Sequence, residues 1–348
     1  MTNTTSRTTP SLGRRALSLG AASLAALPAA VRAQSADGGL AALTAAAKTE
    51  GELVFYTGAT EVVARRAAEA FSAKYGIKTS FTRIAGGPLL QRFGAEASVG
   101  TFAADLILVA GGAVEFLKDG LSKSWLEPVD AAAIPAIQAG TFPAAFLRDG
   151  GAVIQVSPWG ICYNTDSVKP ADIPKTWQDL LKPRFKGRIL IADTKGSAAY
   201  LDVWAQLADA FGPDFYAALR AQNPRWYDSG VPATQALAAG EGDLQIPAVD
   251  QQVRGLIDKG APASLTYPSP STGVEMFAIL THRSRIKHNA AARLFVNFLM
   301  TAEGNKLFNS DPGNFSVFDT AKLPAGYASP KPGTASRNAE IRKLLGLG

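Results

Sequence analysis

The sequence predicts a two-lobed α/β protein in which each lobe is a mainly parallel sheet flanked by helices. Nearly continuous apolar runs alternate with helical patterns, which is typical of parallel strands covered on both faces. The first runs end in glycine-bearing turns. After residue 151, two extended stretches separated by Ser157-Pro158-Trp159 indicate a strand that crosses between lobes. The 348 residues are long enough for two packed lobes.

The first lobe begins with an alanine-rich helical stretch at 38–50, followed by three βα units. Strands are expected at 52–56, 77–84 and 104–109. Their turns are Thr57-Gly58-Ala59-Thr60, Gly86-Gly87-Pro88 and Ala110-Gly111-Gly112. Because open α/β sheets bind ligands beyond the carboxyl ends of their strands, we expect these turns to line one crevice.

The second lobe is expected to contain buried strands at 188–192 and 244–249, with helices at 198–211, 232–239 and 253–259. Its turns at Asp193 to Ser197 and at Asp250 should face those of the first lobe. A second crossing is expected within 263–281, and the helical patterns 289–301 and 303–308 return the chain to the first lobe. The predicted division is an export signal at 1–33, lobe 1 at 36–155 and 274–348, and lobe 2 at 156–273.

The N-terminus resembles an export signal. A hydroxyl-rich start leads to Arg14-Arg15, an apolar run at 16–31 and the small-residue site Val31-Arg32-Ala33, so we expect cleavage after Ala33 and a periplasmic protein. The paired arginines favour the twin-arginine route, whereas Gly13 and Leu17 depart from that signal and leave the Sec route open. A retained anchor is disfavoured because the run is short and rich in Ala and Gly.

The charge of the chain lies largely in this signal. Four arginines and no acidic residue fall within it, so its removal lowers the net charge from +6 to about +2. No basic stripe with interleaved aromatic residues remains, and no nucleic-acid partner is expected. The single cysteine, Cys162, lies in an apolar run and is interpreted as core.

The turn Asp193-Thr194-Lys195-Gly196-Ser197 follows a short strand and precedes a helical pattern. Backbone N–H groups at a helix start lack intrahelical partners and carry partial positive charge, so such a turn can hold an anion. Lys195 would add a full charge and Ser197 a hydroxyl. The alternative is that Thr194 or Ser197 only caps the helix and Lys195 points to solvent.

The chain resembles ABC-transporter periplasmic solute-binding proteins of the ferric-binding-protein type, within extracellular solute-binding protein family 1. The resemblance covers roughly residues 50–320 and is carried by LVFYTGAT, Asp105 with its strand, Tyr163-Asn164-Thr165-Asp166, TWQDLLKPRFKGRI, GEGDLQI and AARLFVNFLMTAEGNKLF. It implies the type II periplasmic-binding-protein fold, with two lobes joined by crossing strands that close on a solute. The implied partners are a small-molecule solute, an inner-membrane ABC permease and its ATPase, with the binding protein a monomer.

The sequence departs from the iron-binding members of this family. Their histidine, glutamate and tyrosine-pair positions fall at Thr60, Ala110 and Asp250-Gln251, and Fe(III) requires several anionic oxygen donors. No metal site is therefore expected, unless Tyr227 or Tyr267 contributes or the iron arrives chelated. His282 and His288 are placed outside the crevice.

The resemblance and the basic turn together predict a small anionic organic solute carrying a phosphonate, phosphate or carboxylate. Its anionic end is placed at Lys195 to Ser197. Asp250 would accept hydrogen bonds from an amine or hydroxyl at the other end, or else cap the next helix. Trp159 and Trp226 are candidate walls, with core packing as the alternative. The candidate ligand-binding residues are Thr57, Gly58, Thr60, Ala110, Gly111, Trp159, Thr194, Lys195, Gly196, Ser197, Trp226, Gly230, Asp250 and Gln251.

Two other classes of protein compete with this interpretation. The sequence has no nucleophile-elbow, Walker or zinc-protease motif, so no enzyme, catalytic residue or cofactor is expected, although Asp193 and Asp250 are carboxylates that could face each other. A sensor subunit would use the same closing motion and is not separable from a transport component by sequence.

Overall fold

A computed structural model describes residues 1–2 and 29–348 of the chain. Its strands are β1 (Glu52–Thr57), β2 (Lys78–Arg83), β3 (Leu106–Val109), β4 (Leu126–Glu127), β5 (Leu147–Arg148), β6 (Gly151–Pro158), β7 (Gly160–Asn164), β8 (Ile189–Ala192), β9 (Arg225–Tyr227), β10 (Leu244–Ala248), β11 (Ala263–Thr266) and β12 (Gly273–Thr281). Its α-helices are α1 (Ala29–Glu50), α2 (Glu61–Tyr75), α3 (Gly86–Ser98), α4 (Ala113–Ser122), α5 (Pro135–Gln138), α6 (Tyr200–Ala221), α7 (Gly230–Ala238), α8 (Asp250–Ile257), α9 (Asn289–Leu299), α10 (Ala302–Phe308) and α11 (Asn338–Leu345).

The N-terminal prediction is covered only in part. Most of the expected export signal falls on residues 3–28, which lie outside the described residues. The first helix, α1, begins at Ala29 rather than at the predicted residue 38. Among the described residues, no helix has both the length and the hydropathy required to cross a membrane.

The first sheet has seven strands in the order β2-β1-β3-β12-β6-β5, with β4 paired to β12. Strands β2, β1 and β3 are parallel, as predicted for the three βα units. Strand β12 runs antiparallel between β3 and β6. The carboxyl ends of the parallel strands therefore meet at the edge of the sheet where β6 ends and β12 begins.

The second sheet has five strands in the order β11-β7-β10-β8-β9. Strands β10, β8 and β9 are parallel, and β7 and β11 are antiparallel additions. Helix α6 continues to Ala221, ten residues beyond the predicted end, after a break in helical geometry at Gly212 before Pro213. The parallel strands of this sheet end at Ala192, Tyr227 and Ala248, which places three further turns at one edge.

The chain passes between the sheets at two places. Strand β6 of the first sheet leads through Trp159 into β7 of the second, and β11 of the second sheet leads into β12 of the first. At the crossing, a Cβ atom on Gly273 would lie 2.6 Å from the carbonyl oxygen of Ser157, so only glycine allows this approach of the two strands. The two-lobed periplasmic-binding-protein fold of type II is thus confirmed.

Each sheet carries its own apolar core. The first core includes Phe55, Phe71, Phe295 and Phe298, all buried. The second includes Trp177, Trp204 and Tyr216. The second sheet has a further, smaller cluster that includes Cys162, Leu237 and Val253, so the buried residues of the two lobes form separate cores.

The C-terminal segment joins the lobes a third time. Phe318, Leu323 and Tyr327 pack against the first core, whereas Ile341 and Leu345 of α11 are buried in the second. The predicted division placed all of residues 274–348 in lobe 1. We propose instead that α11 belongs with lobe 2, because its buried side chains contact only the second core.

Candidate functional site

Three turns of the first lobe lie side by side at the carboxyl edge of its parallel strands. The Gly58 N–H donates to the carbonyl of Leu108 at 2.8 Å. A Cβ atom on Gly86 would lie 3.0 Å from the carbonyl oxygen of Ala110. The structure therefore brings together the turns that the sequence analysis assigned to one crevice.

The two threonines of the first turn have different surroundings. Thr57 is fully buried, and its hydroxyl accepts a hydrogen bond from the Ala59 N–H at 3.0 Å. Thr60 is exposed and caps α2 by accepting from the Val63 N–H. Thr57 thus shapes the turn, and Thr60 stands at its solvent side.

The corresponding turn of the second lobe follows β8. The Asp193 carboxylate accepts from the Lys195 N–H at 2.8 Å and so caps the short 3-10 turn Thr194–Gly196. Thr194 is buried, whereas Lys195 is exposed and forms no ion pair within the described part of the chain. Ser197 accepts from the Ala199 N–H at 3.3 Å, just before α6. Asp193 caps this 3-10 turn, whereas the cap of α6 is Ala199, which makes no side-chain capping bond. Neither Thr194 nor Ser197 therefore caps α6, and the Lys195 ammonium is available.

The two lobes meet around this turn. A Cβ atom on Gly111 would lie 3.9 Å from the Cβ of Ala199, so the third turn of lobe 1 contacts the start of α6. Gln251, at the start of α8, donates from its side-chain amide to the Ser157 hydroxyl at 3.1 Å and also to Oδ1 of the Asn314 side chain. The candidate site is therefore bounded by both lobes.

Asp250 does not present a free carboxylate to the crevice. It is buried at the first residue of α8, and its two oxygens accept from Arg254 at 3.1 and 2.7 Å. The helix cap is Val249, whose side chain makes no capping bond. The helix-cap alternative for Asp250 is therefore wrong, and its carboxylate forms an i,i+4 ion pair. A hydrogen bond from the solute to the same carboxylate stays a prediction.

An aromatic centre lies beside these turns in the second lobe. The Trp159 ring is 5.3 Å from the Tyr200 ring, centroid to centroid, and Trp159 is 2% exposed. The Tyr200 hydroxyl accepts from the Gly230 N–H at 2.9 Å. Among the described residues, neither the Trp159 Nε1 nor the Gln252 Oε1 has a hydrogen-bond partner. One buried donor and one buried acceptor are thus available here.

Tyr200 and Gln252 were not found from the sequence. Tyr200 reads as an ordinary apolar position of α6, and Gln252 as the third residue of a helix, so neither carries a sequence signal of its own. Trp226, which was predicted as a wall, is half-buried and packs against the second core, of which Trp159 is a buried member. That contact agrees with the core-packing alternative.

A cavity of about 170 Å³ opens between the lobes next to Gly111 and Ala199. Arg148 and Asp202 line it, together with Glu275, which pairs with Arg148. Burial raises the pKa of Asp202 to about 6, despite a hydrogen bond from the Thr334 hydroxyl. The cavity therefore holds carboxylates in a partly desolvated setting.

The family positions for iron ligands are not filled by a metal-binding set. Among the described residues, no group of three or more His, Cys, Asp or Glu side chains could hold a metal ion. The Tyr227 hydroxyl donates to Glu241 at 2.9 Å, and burial raises the pKa of Tyr267 to about 12. His288 pairs with Asp105 at 3.1 Å, on the far side of the first lobe's core.

The chain is similar to known binding proteins. The family described as bacterial extracellular solute-binding protein matches residues 52–311. An uncharacterized protein of Haemophilus influenzae is 28% identical over 288 residues, covering 76% of this chain and 78% of the relative.

Solved structures show the same fold. Iron-bound HitA from Pseudomonas aeruginosa is 22% identical, with a TM-score of 0.64 over 85% of this chain and 99% of HitA. AfuA from Actinobacillus pleuropneumoniae, with fructose-6-phosphate bound, is 23% identical, with a TM-score of 0.57 over 85% and 97%. An ABC-transporter substrate-binding protein from Agrobacterium tumefaciens is 16% identical, with a TM-score of 0.68 over 84% and 94%.

Proposed function

The chain belongs to the family of bacterial extracellular solute-binding proteins, and from this premise we propose that it is the periplasmic substrate-binding component of an ABC importer. It captures a small anionic organic solute between its two lobes and delivers the solute to the permease and ATPase. The observation that carries the proposal is the exposed Lys195 ammonium on the capped turn Asp193–Ser197, which directly precedes the segment whose Ala199 contacts Gly111 of the first lobe.

The charge of the turn favours an anion. Lys195 supplies a mobile ammonium and Ser197 a hydroxyl, which together suit a phosphonate, phosphate or carboxylate. The remaining part of the solute lies toward the aromatic centre, where Trp159 Nε1 can donate and Gln252 Oε1 can accept. A solute with a second polar group, such as an amino-phosphonate, would use both.

Closure follows from contacts made to both lobes. A solute held by the Lys195 turn and by the turns at Gly58 and Gly111 has its full set of contacts only when the lobes meet. It therefore stabilises the closed form by its difference in affinity for the two forms. Capture of the solute by closure requires binding but no catalysis. Measurable turnover on a panel of esters and glycosides would contradict the proposed binding role.

Chelated iron is the second candidate solute. It is favoured by one observation: the Trichodesmium protein IdiA (FutA), with a TM-score of 0.65 and 17% identity, was solved in complex with iron and citrate ligands. A ferric citrate complex presents carboxylates, so it would engage the same Lys195 turn without protein side chains on the metal.

A thermal-shift screen tests the proposal on the protein expressed with its natural N-terminus. The probes are 2-aminoethylphosphonate, methylphosphonate, fructose-6-phosphate, citrate, 4-aminobutyrate and ferric citrate. A ligand that binds only the folded state raises the melting temperature by mass action. Shifts with the phosphonates, the phosphate ester or the carboxylates support the proposal, and 4-aminobutyrate counts among them because it carries a carboxylate. A shift with ferric citrate but not citrate supports the iron alternative, and the absence of a shift with every iron-free probe overturns the anionic class.

Export is tested separately. N-terminal sequencing of the protein recovered from the periplasm should begin at Gln34, directly after the small-residue site. A protein that keeps its first residues and sediments with membranes would instead be anchored.

A further inference from the structure

Helix α11 contacts the turn Asp193–Ser197 of the candidate site through one arginine, Arg342. Arg342 of α11 donates from Nη1 to Asp193 Oδ1 at 2.6 Å and to the Thr194 hydroxyl at 3.0 Å. Its Nη2 donates to the Leu347 carbonyl at 2.7 Å. The arginine and aspartate side chains are only 16% and 18% exposed. The guanidinium thus contacts the two residues that precede Lys195 in the turn.

Asp193 is a negative charge at the position where an anionic solute is expected. Burial by itself would raise its pKa, but the hydrogen bond from the Lys195 N–H and the Arg342 guanidinium outweigh burial and hold the pKa below its ordinary value. The carboxylate therefore stays ionised and keeps the turn capped. Without the Arg342 cation, the negative charge of Asp193 would offset the positive charge of Lys195 and repel an anionic solute.

We infer that Arg342 is a positioning residue of the solute site: it neutralises Asp193 and fixes the turn Asp193–Ser197, which leaves the net charge of Lys195 for the anion. The inference rests on the proposed function for the nature of the solute. It extends the site to the C-terminal segment, which the predicted division assigned to lobe 1. It also gives the ion pair of two partly buried groups a role in ligand affinity.

The decisive comparison uses charge-matched variants. Arg342→Gln removes the guanidinium, and Lys343→Gln removes an exposed charge from the neighbouring position of the same helix. In calorimetry with 2-aminoethylphosphonate, Arg342→Gln should weaken binding by about tenfold or more, the order expected for one unit charge a few ångströms from the turn. Lys343→Gln should bind as the wild type does. Equal affinity of Arg342→Gln and the wild type would overturn the inference.

A double variant separates electrostatic positioning from general packing. If Arg342 acts by neutralising Asp193, Asp193→Asn in the Arg342→Gln background should restore most of the lost affinity, because the repelling charge is gone. A purely structural role predicts a further loss. Arg342→Lys keeps the positive charge and should retain most of the affinity. Retained affinity would also show that α11 still packs against the second core in a variant of this position.

Hydrogen exchange tests the positioning without any ligand. The amides of residues 194–199 should exchange about tenfold faster in Arg342→Gln than in Lys343→Gln, because the cap is loosened. Unchanged exchange overturns the positioning role. If the wild type binds no anionic probe, the proposed solute class fails, and the exchange result alone then decides whether Arg342 holds the turn.

Discussion

A Cβ atom added to Gly313 would lie 1.9 Å from the Cβ of Asp250, so the two residues are in direct backbone-to-side-chain contact across the lobes. Gly313 lies just before Phe315, which packs on the first core, and Asp250 opens α8 of the second sheet. The described structure is therefore closed at this point, and the contact leaves no room for a methyl group.

The first prediction concerns a methyl group added at the contact between Gly313 and Asp250. Gly313→Ala should hold the lobes apart and lower solute affinity by at least about tenfold, since a methyl cannot be accommodated without a shift of Asp250. Gly333→Ala is the matched control, because Gly333 has a similarly positive φ of 84° but nothing within 4 Å of the added atom. Small-angle scattering with ligand should show a larger radius for Gly313→Ala only; equal radii would refute a contact needed for closure.

The second prediction concerns the exposed ammonium. Lys195→Ala should weaken binding of the anionic probe by roughly 10- to 100-fold, the range for loss of a hydrogen bond to a charged group. Lys186→Ala, an exposed lysine of the same lobe, should have no effect. Calorimetry decides between them, and unchanged affinity of Lys195→Ala would remove the anion assignment.

The third prediction concerns the indole donor of the aromatic centre. Trp159→Phe keeps a ring against Tyr200 but removes Nε1, and it should lower solute affinity by about 3- to 10-fold with little change in melting temperature. Trp204→Phe is the control, since its Nε1 is also buried and unpaired within the described chain, but its ring packs against Tyr216 and not against Tyr200. Equal effects on affinity would show that Trp159 is only packing.

The fourth prediction concerns the buried carboxyl of the interlobe cavity. Burial raises the pKa of Asp202 from 3.8 to about 6, and the Glu115 carboxylate adds to this, while the Thr334 hydroxyl opposes it. Arg148, Glu275 and Lys331 line the same cavity. The folded state holds the Asp202 proton more tightly than the unfolded state does. Asp202 therefore does not change the free energy of unfolding below its unfolded pKa, lowers it increasingly as the pH rises toward 6, and lowers it by a constant amount above that pH.

Asp202→Asn should therefore stabilise the protein at about pH 8, by up to roughly 3 kcal/mol, and leave stability near pH 4 unchanged. Asp209→Asn on the same helix is the control: its pKa is lowered by hydrogen bonds from Lys331 and Arg337, so the substitution should not stabilise at any pH. Thermal denaturation across this range is the measurement. A gain that is equal at both pH values would exclude Asp202 titration as the cause.

The fold was predictable because its signals are local. The apolar runs predicted as strands at 52–56 and 244–249 form strands at 52–57 and 244–248, because an apolar run bounded by turn residues is read directly from pattern. The turn Asp193–Ser197 was also found, since strand, polar turn and helix follow one another in sequence.

What was missed depends on contacts between distant residues. The close approach of Gly313 to Asp250 becomes apparent only in three dimensions, whereas the pairing of Asp250 with Arg254 is local and was overlooked. Arg342 is 149 residues from Asp193, and nothing in its own surroundings marks it. In the sequence, Trp226 and Trp159 are both single tryptophans next to a predicted turn. Only the structure distinguishes them, by their burial and by the ring contact of Trp159 with Tyr200.

The packing of α11 against the second core also fixes when that lobe can form. Ile341 and Leu345 are among the last eight residues of the printed sequence, and both are buried in a core whose other members begin at Trp159. During synthesis, lobe 1 has most of its strands available early, whereas lobe 2 lacks one side of its core until α11 has been made. A nascent or truncated chain therefore exposes apolar surface on α6, and a tag appended after Gly348 would sit beside the Leu347 carbonyl that Arg342 binds.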